Sequence, residues 1–266
     1  MEPVHPEFRP DPEATRAEME AQQRALVDLA SFADEIAFDP VAVAIDTPLA
    51  RDILEWAEEP VDPSSTEPVV VGIDQAFLED EAVSAAVALQ GQDVIEVACG
   101  RTELAVPYIP GLLAFREGGP ILAALDALDV DPDLLVFDGN GRIHYRQAGI
   151  ATHVGVLMDT PAIGIAKNLL CGQPEESLDA PLAAGTRVPI LADDSVETEP
   201  GTTIGYVVQT RQFANPERRH VNPIYVSPGH RVSAETAAEL AFNLAAGYKL
   251  PEPIRLADRA AEECKD

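Results

Sequence analysis

Two short apolar runs, each closed by an aspartate, constrain this chain more than any other feature. Val69-Val70-Val71-Gly72-Ile73 ends at Asp74, and Leu134-Leu135-Val136-Phe137 ends at Asp138. Runs of this length without polar interruption predict strands buried on both faces, as in sheets covered by helices on either side. In such α/β sheets the carboxyl ends of neighbouring parallel strands line the crevice where ligands bind. Two aspartates there can converge on one cation, and Mg²⁺ suits a site of few carboxylates that leaves room for water and a phosphate oxygen. A plainer reading stands beside it: Asp138-Gly139-Asn140-Gly141 is a β-turn sequence, and an aspartate after a strand often serves only the turn.

The segments around these runs predict an α/β domain with a mixed central sheet flanked by helices. Val83 to Leu89 and Asp93 to Cys99 follow the first run as further strands, giving an antiparallel meander. A helix carrying Ile121, Leu122, Leu125 and Leu128 comes next, then the second run, a helix from Gly149 to Met158 and a strand from Ala162 to Ala166. Ala192 to Gly201 reads as a solvated loop. Strands at Ile204 to Gln209 and Ile224 to Ser227, and a helix capped by Ser233, complete the domain. Upstream, Pro10 to Asp34 has an amphipathic helical pattern, and Pro60 to Pro68 reads as a loop.

Three further residues stand out on chemical grounds. Glu117 precedes Gly118-Gly119-Pro120. If the helix extends back through it, Glu117 shares an apolar stripe with Leu113, Ile121 and Leu125, where a carboxylate is costly to bury without a partner such as a metal. If the glycines break the helix, Glu117 only favours its N-terminus through the dipole. Lys167 ends the strand Ala162 to Ala166 in a chain whose only other lysines are Lys249 and Lys265, which points to a phosphate or an active-site water, with an ordinary surface lysine as the plainer reading. His230, in Ser227-Pro228-Gly229-His230, is on its own a histidine in a turn.

Composition bears on the partner. Forty-six acidic against eighteen basic residues give a formal charge of −28, which argues against a phosphate-bearing ligand in dilute buffer. The carboxylates are spread along the whole chain and lysine is nearly absent, a pattern of salt adaptation. In molar salt the Debye length is roughly 3 Å, so the general field need not repel nucleic acid. Hydrophobic residues at 46% exclude wholesale disorder, and no apolar run reaches the ~18 residues of a membrane span. With no secretory leader in view, the expected location is the cytoplasm. Cys99, Cys171 and Cys264, odd in number and far apart, are expected to be ordinary thiols, with neither a disulfide framework nor a zinc ribbon.

Taken in order, the segments resemble the endonuclease V family. The likeness is carried by Gly72-Ile73-Asp74, by Pro107-Tyr108-Ile109-Pro110-Gly111-Leu112-Leu113-Ala114-Phe115-Arg116-Glu117, by Phe137-Asp138-Gly139-Asn140-Gly141 and by Gly149-Ile150-Ala151-Thr152-His153-Val154-Gly155. It continues through Ile163-Gly164-Ile165-Ala166-Lys167, Ser227-Pro228-Gly229-His230 and Gly247-Tyr248-Lys249-Leu250-Pro251-Glu252-Pro253. Several motifs in family order make a chance match improbable. The sequence departs from the family at Gln75-Ala76 and Gly118-Gly119, without loss of a carboxylate.

The resemblance implies an RNase H-like domain over residues 67–258, a helical N-terminal extension over 1–66 packing on it and an acidic tail over 259–266. It implies that Asp74, Glu117, Asp138 and His230 hold Mg²⁺, with Mn²⁺ able to substitute, and that Lys167 lies near the scissile phosphate. Pro107, Tyr108, Ile109 and Pro110 match a wedge that parts the strands at a lesion. Core packing is the plainer role for Tyr108. Gly111, Gly139, Ile150 and Leu170 are implied to line a pocket for a flipped base, and Arg142, His144 and Arg146 to lie near the cleaved backbone. The implied activity is DNA repair by a monomer: hydrolysis of the second phosphodiester 3′ to deoxyinosine, leaving a 3′-hydroxyl and a 5′-phosphate. Inosine in RNA or single strands is the alternative substrate, and a module that binds damaged DNA without cutting is the alternative of another class.

Overall fold

The computed structural model describes residues 1–49 and 65–265. Much of the loop expected at Pro60 to Pro68, up to Ser64, lies outside the described residues.

One nine-stranded sheet organises the chain, with strand order β3-β2-β1-β4-β5-β9-β8-β7-β6. The meander is β1 (Val69–Phe77), β2 (Glu81–Gln90) and β3 (Asp93–Glu103), paired antiparallel. β4 (Leu134–Asp138) lies parallel to β1, and β5 (Ala162–Ala166) parallel to β4. β9 (Ile224–His230) returns antiparallel to β5, followed outward by β8 (Thr203–Val208), β7 (Arg187–Leu191) and the short β6 (Gln173–Pro174). This is the mixed sheet flanked by helices that the sequence predicts, with β6 and β7 as additions.

Helices cover both faces, which is why the central strands read as continuous apolar runs. Val71, Ile73, Leu135 and Phe137 pack on α2 (Leu113–Asp126) and α3 (Ile150–Met158). Val70, Val136 and Ile163 pack on α4 (Ala234–Asn243) and α5 (Glu252–Glu263). β2 is buried throughout its interior and uses Ala82, Ala85, Ala86 and Ala88, because helices close on it from both sides.

One open alternative is settled and three expectations are corrected. Of the two readings of Glu117 the first holds: α2 runs unbroken through Gly118, Gly119 and Pro120, with Glu117 inside it. An interior proline removes a helical hydrogen bond, and the buried stripe of Ala114, Phe115, Ile121, Ala124 and Leu125 offsets that cost. The N-terminal helix is shorter than the pattern Pro10 to Asp34: α1 spans Arg16–Val27, opened by a capping box between Thr15 and Glu18. Arg259 to Glu263 are not part of a tail but the C-terminal end of α5. Finally, Cys99 on β3 and Cys264 at the end of α5 form a disulfide, leaving Cys171 as a buried free thiol.

The N-terminal segment is sewn to the same core. Val4 and His5 donate backbone N–H groups to Leu157 O, and His153 Nε2 donates to Phe8 O at 2.7 Å. Among the described residues no helix is long and apolar enough to cross a membrane.

Candidate active site

The parallel register brings the two aspartates together. Pairing of β1 with β4 ends at Ile73 opposite Phe137, so Asp74 and Asp138 are the next residues on adjacent strands. β1 does not stop there: it continues to Phe77 against β2, so Asp74 marks the end of the parallel ladder rather than of its strand. Asp74 is only 6% exposed; its Oδ1 accepts from Gln75 N at 2.7 Å, while Oδ2 is buried without a hydrogen-bond partner. Burial, then the charge of Asp138, pushes its pKa up to about 8.

Glu117, also 6% exposed, enters from α2, and burial raises it to about 7 against the opposing pull of Arg116. Asp138 acts on it in the same direction as burial, which sets the two carboxylates within electrostatic reach of each other. Lys167 Nζ donates to Asp138 Oδ2 at 2.7 Å from the end of the neighbouring strand. Burial disfavours the ammonium, but the hydrogen bond and charge of Asp138 outweigh it, so Lys167 stays above its usual pKa.

His230 is not part of this group. It pairs with Ala162, whereas Asp138 pairs with Ile165, three residues and roughly 10 Å further along β5. Its Nδ1 accepts from Ser31 N and its Nε2 faces Asp159 Oδ1, both at 3.2 Å. The metal role that the family resemblance implied for His230 is not met, because His230 ends β9 at the far end of the sheet. In its place the fold brings Asp258, exposed on α5, whose charge acts on both Asp74 and Lys167. Sequence reading missed it because α5 was not recognised. The helical spacing of Ile254, Ala257 and Ala261 was the available signal, with Asp258 beside that stripe.

Among the described residues no three carboxylate, imidazole or thiol groups close into a ready-made metal cage. The donor chemistry nevertheless fits a hard divalent cation. Asp74, Glu117, Asp138 and Asp258 supply only oxygen donors, one buried oxygen lacks a partner, and Lys167 offsets a single charge.

A cavity of about 90 Å³ is lined by Asn140, two residues beyond Asp138. It collects Gly111, Ile150 and Leu170 together with Tyr108, Ile109 and Pro110. Gly139 does not line it but stands behind Ile150: a Cβ at Gly139 would lie 2.5 Å from Ile150 Cγ2. Gly111 adopts φ +81°, a conformation that glycine takes without steric cost, and turns its carbonyl inward. That carbonyl accepts from Gln23 Nε2 at 3.0 Å, His144 Nε2 at 3.0 Å and Arg146 Nη2 at 3.2 Å. Tyr108 is 68% exposed at the rim, which rules out core packing. Asn140 Oδ1 is a buried acceptor without a partner, on a side chain that lines the cavity.

The three residues expected beside the cleaved backbone all turn into the protein. His144 is buried, and desolvation, then Arg146, lowers its pKa to about 4, so it is neutral in the pocket wall. Arg146 Nε donates to Gln23 Oε1 at 2.7 Å. Arg142 donates to Gln147 Oε1 at 2.8 Å and lies 4.4 Å from the centre of the Phe32 ring. His144 and Arg146, together with Gln23 of α1, brace the cavity, while Arg142 is packed away from it.

Comparison with known proteins identifies the family and the fold. Residues 55–259 match the Endonuclease V family profile. Endonuclease V of Haloarcula marismortui is 54% identical over 100% of this chain and 98% of its own length. The crystal structure of Endonuclease V from Streptomyces avermitilis superposes with a TM-score of 0.71 at 33% identity, covering 95% of this chain and 93% of that one. Ciona intestinalis Endonuclease V, solved with a 24mer DNA containing an inosine followed by a ribo-adenosine, gives 0.68 at 25% identity over 94% and 97%. The chain belongs to the Endonuclease V family, and by that membership it is a nuclease.

Proposed function

We propose that this protein is a Mg²⁺-dependent repair endonuclease that recognises deoxyinosine in DNA and cuts the second phosphodiester on its 3′ side. The observation that carries this reading is the contiguity of the two sites. Asp138 closes β4 and Asn140, two residues later, lines the cavity; Lys167 follows β5 directly and Leu170, three residues on, lines the cavity too. A base seated in the cavity therefore holds its own backbone close to the carboxylates.

Hypoxanthine differs from adenine in presenting a carbonyl and a ring N–H on its Watson–Crick edge. The unpartnered Asn140 Oδ1 suits that N–H. Tyr108, exposed between Pro107 and Ile109-Pro110, can stack in the gap left by the displaced base. The DNA with inosine and ribo-adenosine held by the Ciona relative supports the substrate class.

Asp74, Glu117, Asp138 and Asp258 would hold the cation, which when bound neutralises phosphate charge and acidifies the attacking water. Lys167 orients Asp138 through their 2.7 Å hydrogen bond and adds positive charge beside the phosphate. Water forms the new P–O bond as the P–O3′ bond breaks, leaving a 3′-hydroxyl and a 5′-phosphate. The reaction is expected to take place in the cytoplasm, in a salt-adapted protein.

The test is cleavage of a single-inosine duplex in Mg²⁺ by the parent and by Asp138→Asn. We expect the variant to lose at least ~10³-fold in rate, the scale at which a charge-stabilising group acts, while retaining lesion binding. Equal rates would overturn the assignment. Matched RNA oligonucleotides in the same assay separate a preference for inosine in RNA.

A further inference from the structure

We propose that the segment Gln209 to Asn222, with Lys249, forms a second subsite that grips the phosphodiester backbone of the nucleic acid beyond the cleaved bond. The proposal rests on the nuclease reading above and adds to it a place on the surface.

The first observation is charge. In a protein of net charge −28 this segment carries Arg211, Arg218, Arg219 and His220 against the single carboxylate Glu217. Five arginines elsewhere, Arg16, Arg24, Arg101, Arg231 and Arg255, each pair with a carboxylate. Among the described residues Arg211, Arg218, Arg219 and Lys249 have no such partner. Arg219 donates to Phe213 O, and Lys249 Nζ donates to Asn222 Oδ1 at 2.6 Å.

The second is construction. Gln212 ties the loop to itself and to the body, donating to Leu182 O at 3.0 Å and His220 O at 2.9 Å and accepting from Phe213 N. Phe213 then carries Arg218 at 4.7 Å and Arg211 at 5.7 Å from its ring centre, with His220 at 5.5 Å. A guanidinium resting on a ring keeps its N–H donors for a phosphate. A cavity of about 220 Å³ opens between Arg211, Phe213, His220 and Lys249.

The third is position. The segment joins β8 to β9 at the sheet end where Tyr225 pairs with Ala166, next to Lys167. Lys249 is near enough to Lys167 for the two charges to oppose each other. A strand whose phosphate sits at Lys167 and Asp138 thus meets these cations next. In molar salt, where attraction decays within roughly 3 Å, only such direct contacts hold a backbone.

The experiment measures affinity for a single-stranded oligonucleotide, with and without inosine, as a function of salt over the range in which circular dichroism shows the fold intact. Arg211→Ser/Arg218→Ser is expected to weaken both oligonucleotides alike and to reduce the slope of log affinity against log salt by about 1.4, at ~0.7 per phosphate contact. Arg211→Lys/Arg218→Lys should restore most of the slope. The control Arg16→Ser/Arg101→Ser should leave it unchanged. A slope equal to the parent's in the serine variant, or an equal fall in the control, overturns the proposal. Failure of the parent to cut inosine substrates would instead overturn the nuclease reading, and leaves the binding measurement to decide the subsite.

Discussion

Glu117 and Asp74 show what burial does to single residues. Both have folded-state pKa values raised above their ordinary ones, to about 7 and about 8, chiefly by loss of solvent. A raised carboxylate is fully compatible with the fold below its ordinary pKa and costs stability as pH climbs through the folded value. Stability without divalent ions should therefore fall between about pH 4 and 8. Glu117→Gln should be more stable than the parent at pH 8 in a chelator, by about 2 kcal/mol, and equal to it at pH 4. Mg²⁺ should stabilise the parent more than the variant. Thermal unfolding at the two pH values, with and without the ion, measures both effects, and a parent insensitive to pH and Mg²⁺ would remove the metal assignment. Tyr108 belongs to the same scale. Since it is exposed, Tyr108→Ala should leave the melting temperature unchanged and weaken binding of an inosine duplex by about 1–3 kcal/mol, the worth of one stacked base.

Among the elements, α5 carries the most unexpected role. It packs over β1 and β2, brings Asp258 to the acidic group and is tethered at its end by Cys99–Cys264. Asp74, Ala85 and Cys99 are register partners across three strands, so the tether anchors α5 to the row that begins at Asp74. Closing a loop of 165 residues restricts the unfolded chain. Cys264→Ser should cost about 2–4 kcal/mol in denaturant unfolding. Reductant should destabilise the parent and not the variant; an equal response in both would remove the tether. α1 has a comparable supporting role, since its Gln23 donates to Gly111 O and Ala148 O and so sets the cavity wall.

For the whole molecule the governing quantity is charge. A net −28 on 266 residues is self-repulsion that salt must screen. The fold should be lost in dilute buffer and regained in molar salt, as followed by circular dichroism; an equally stable protein in both would refute salt adaptation. How much was legible varied with this scale too. The meander, the parallel strands and the Asp74–Asp138 pair could be read because apolar runs report burial locally. Lys167 could be read because it was nearly alone. His230 by itself read as a turn histidine, and only the family resemblance made it a ligand, which the strand register does not support; the cationic loop passed unnoticed beneath an average of opposite sign.

By itself the sequence determined the layers, the order of most elements and the residue types of the chemistry, because hydrophobic periodicity and strand-end carboxylates are local properties. Only the tertiary structure decided that Asp258 rather than His230 lies within electrostatic reach of the acidic group, that His144 and Arg146 brace a pocket, and that two distant cysteines meet. Those outcomes depend on strand register and helix packing between segments far apart in the chain, and no local pattern encodes a distance across a sheet.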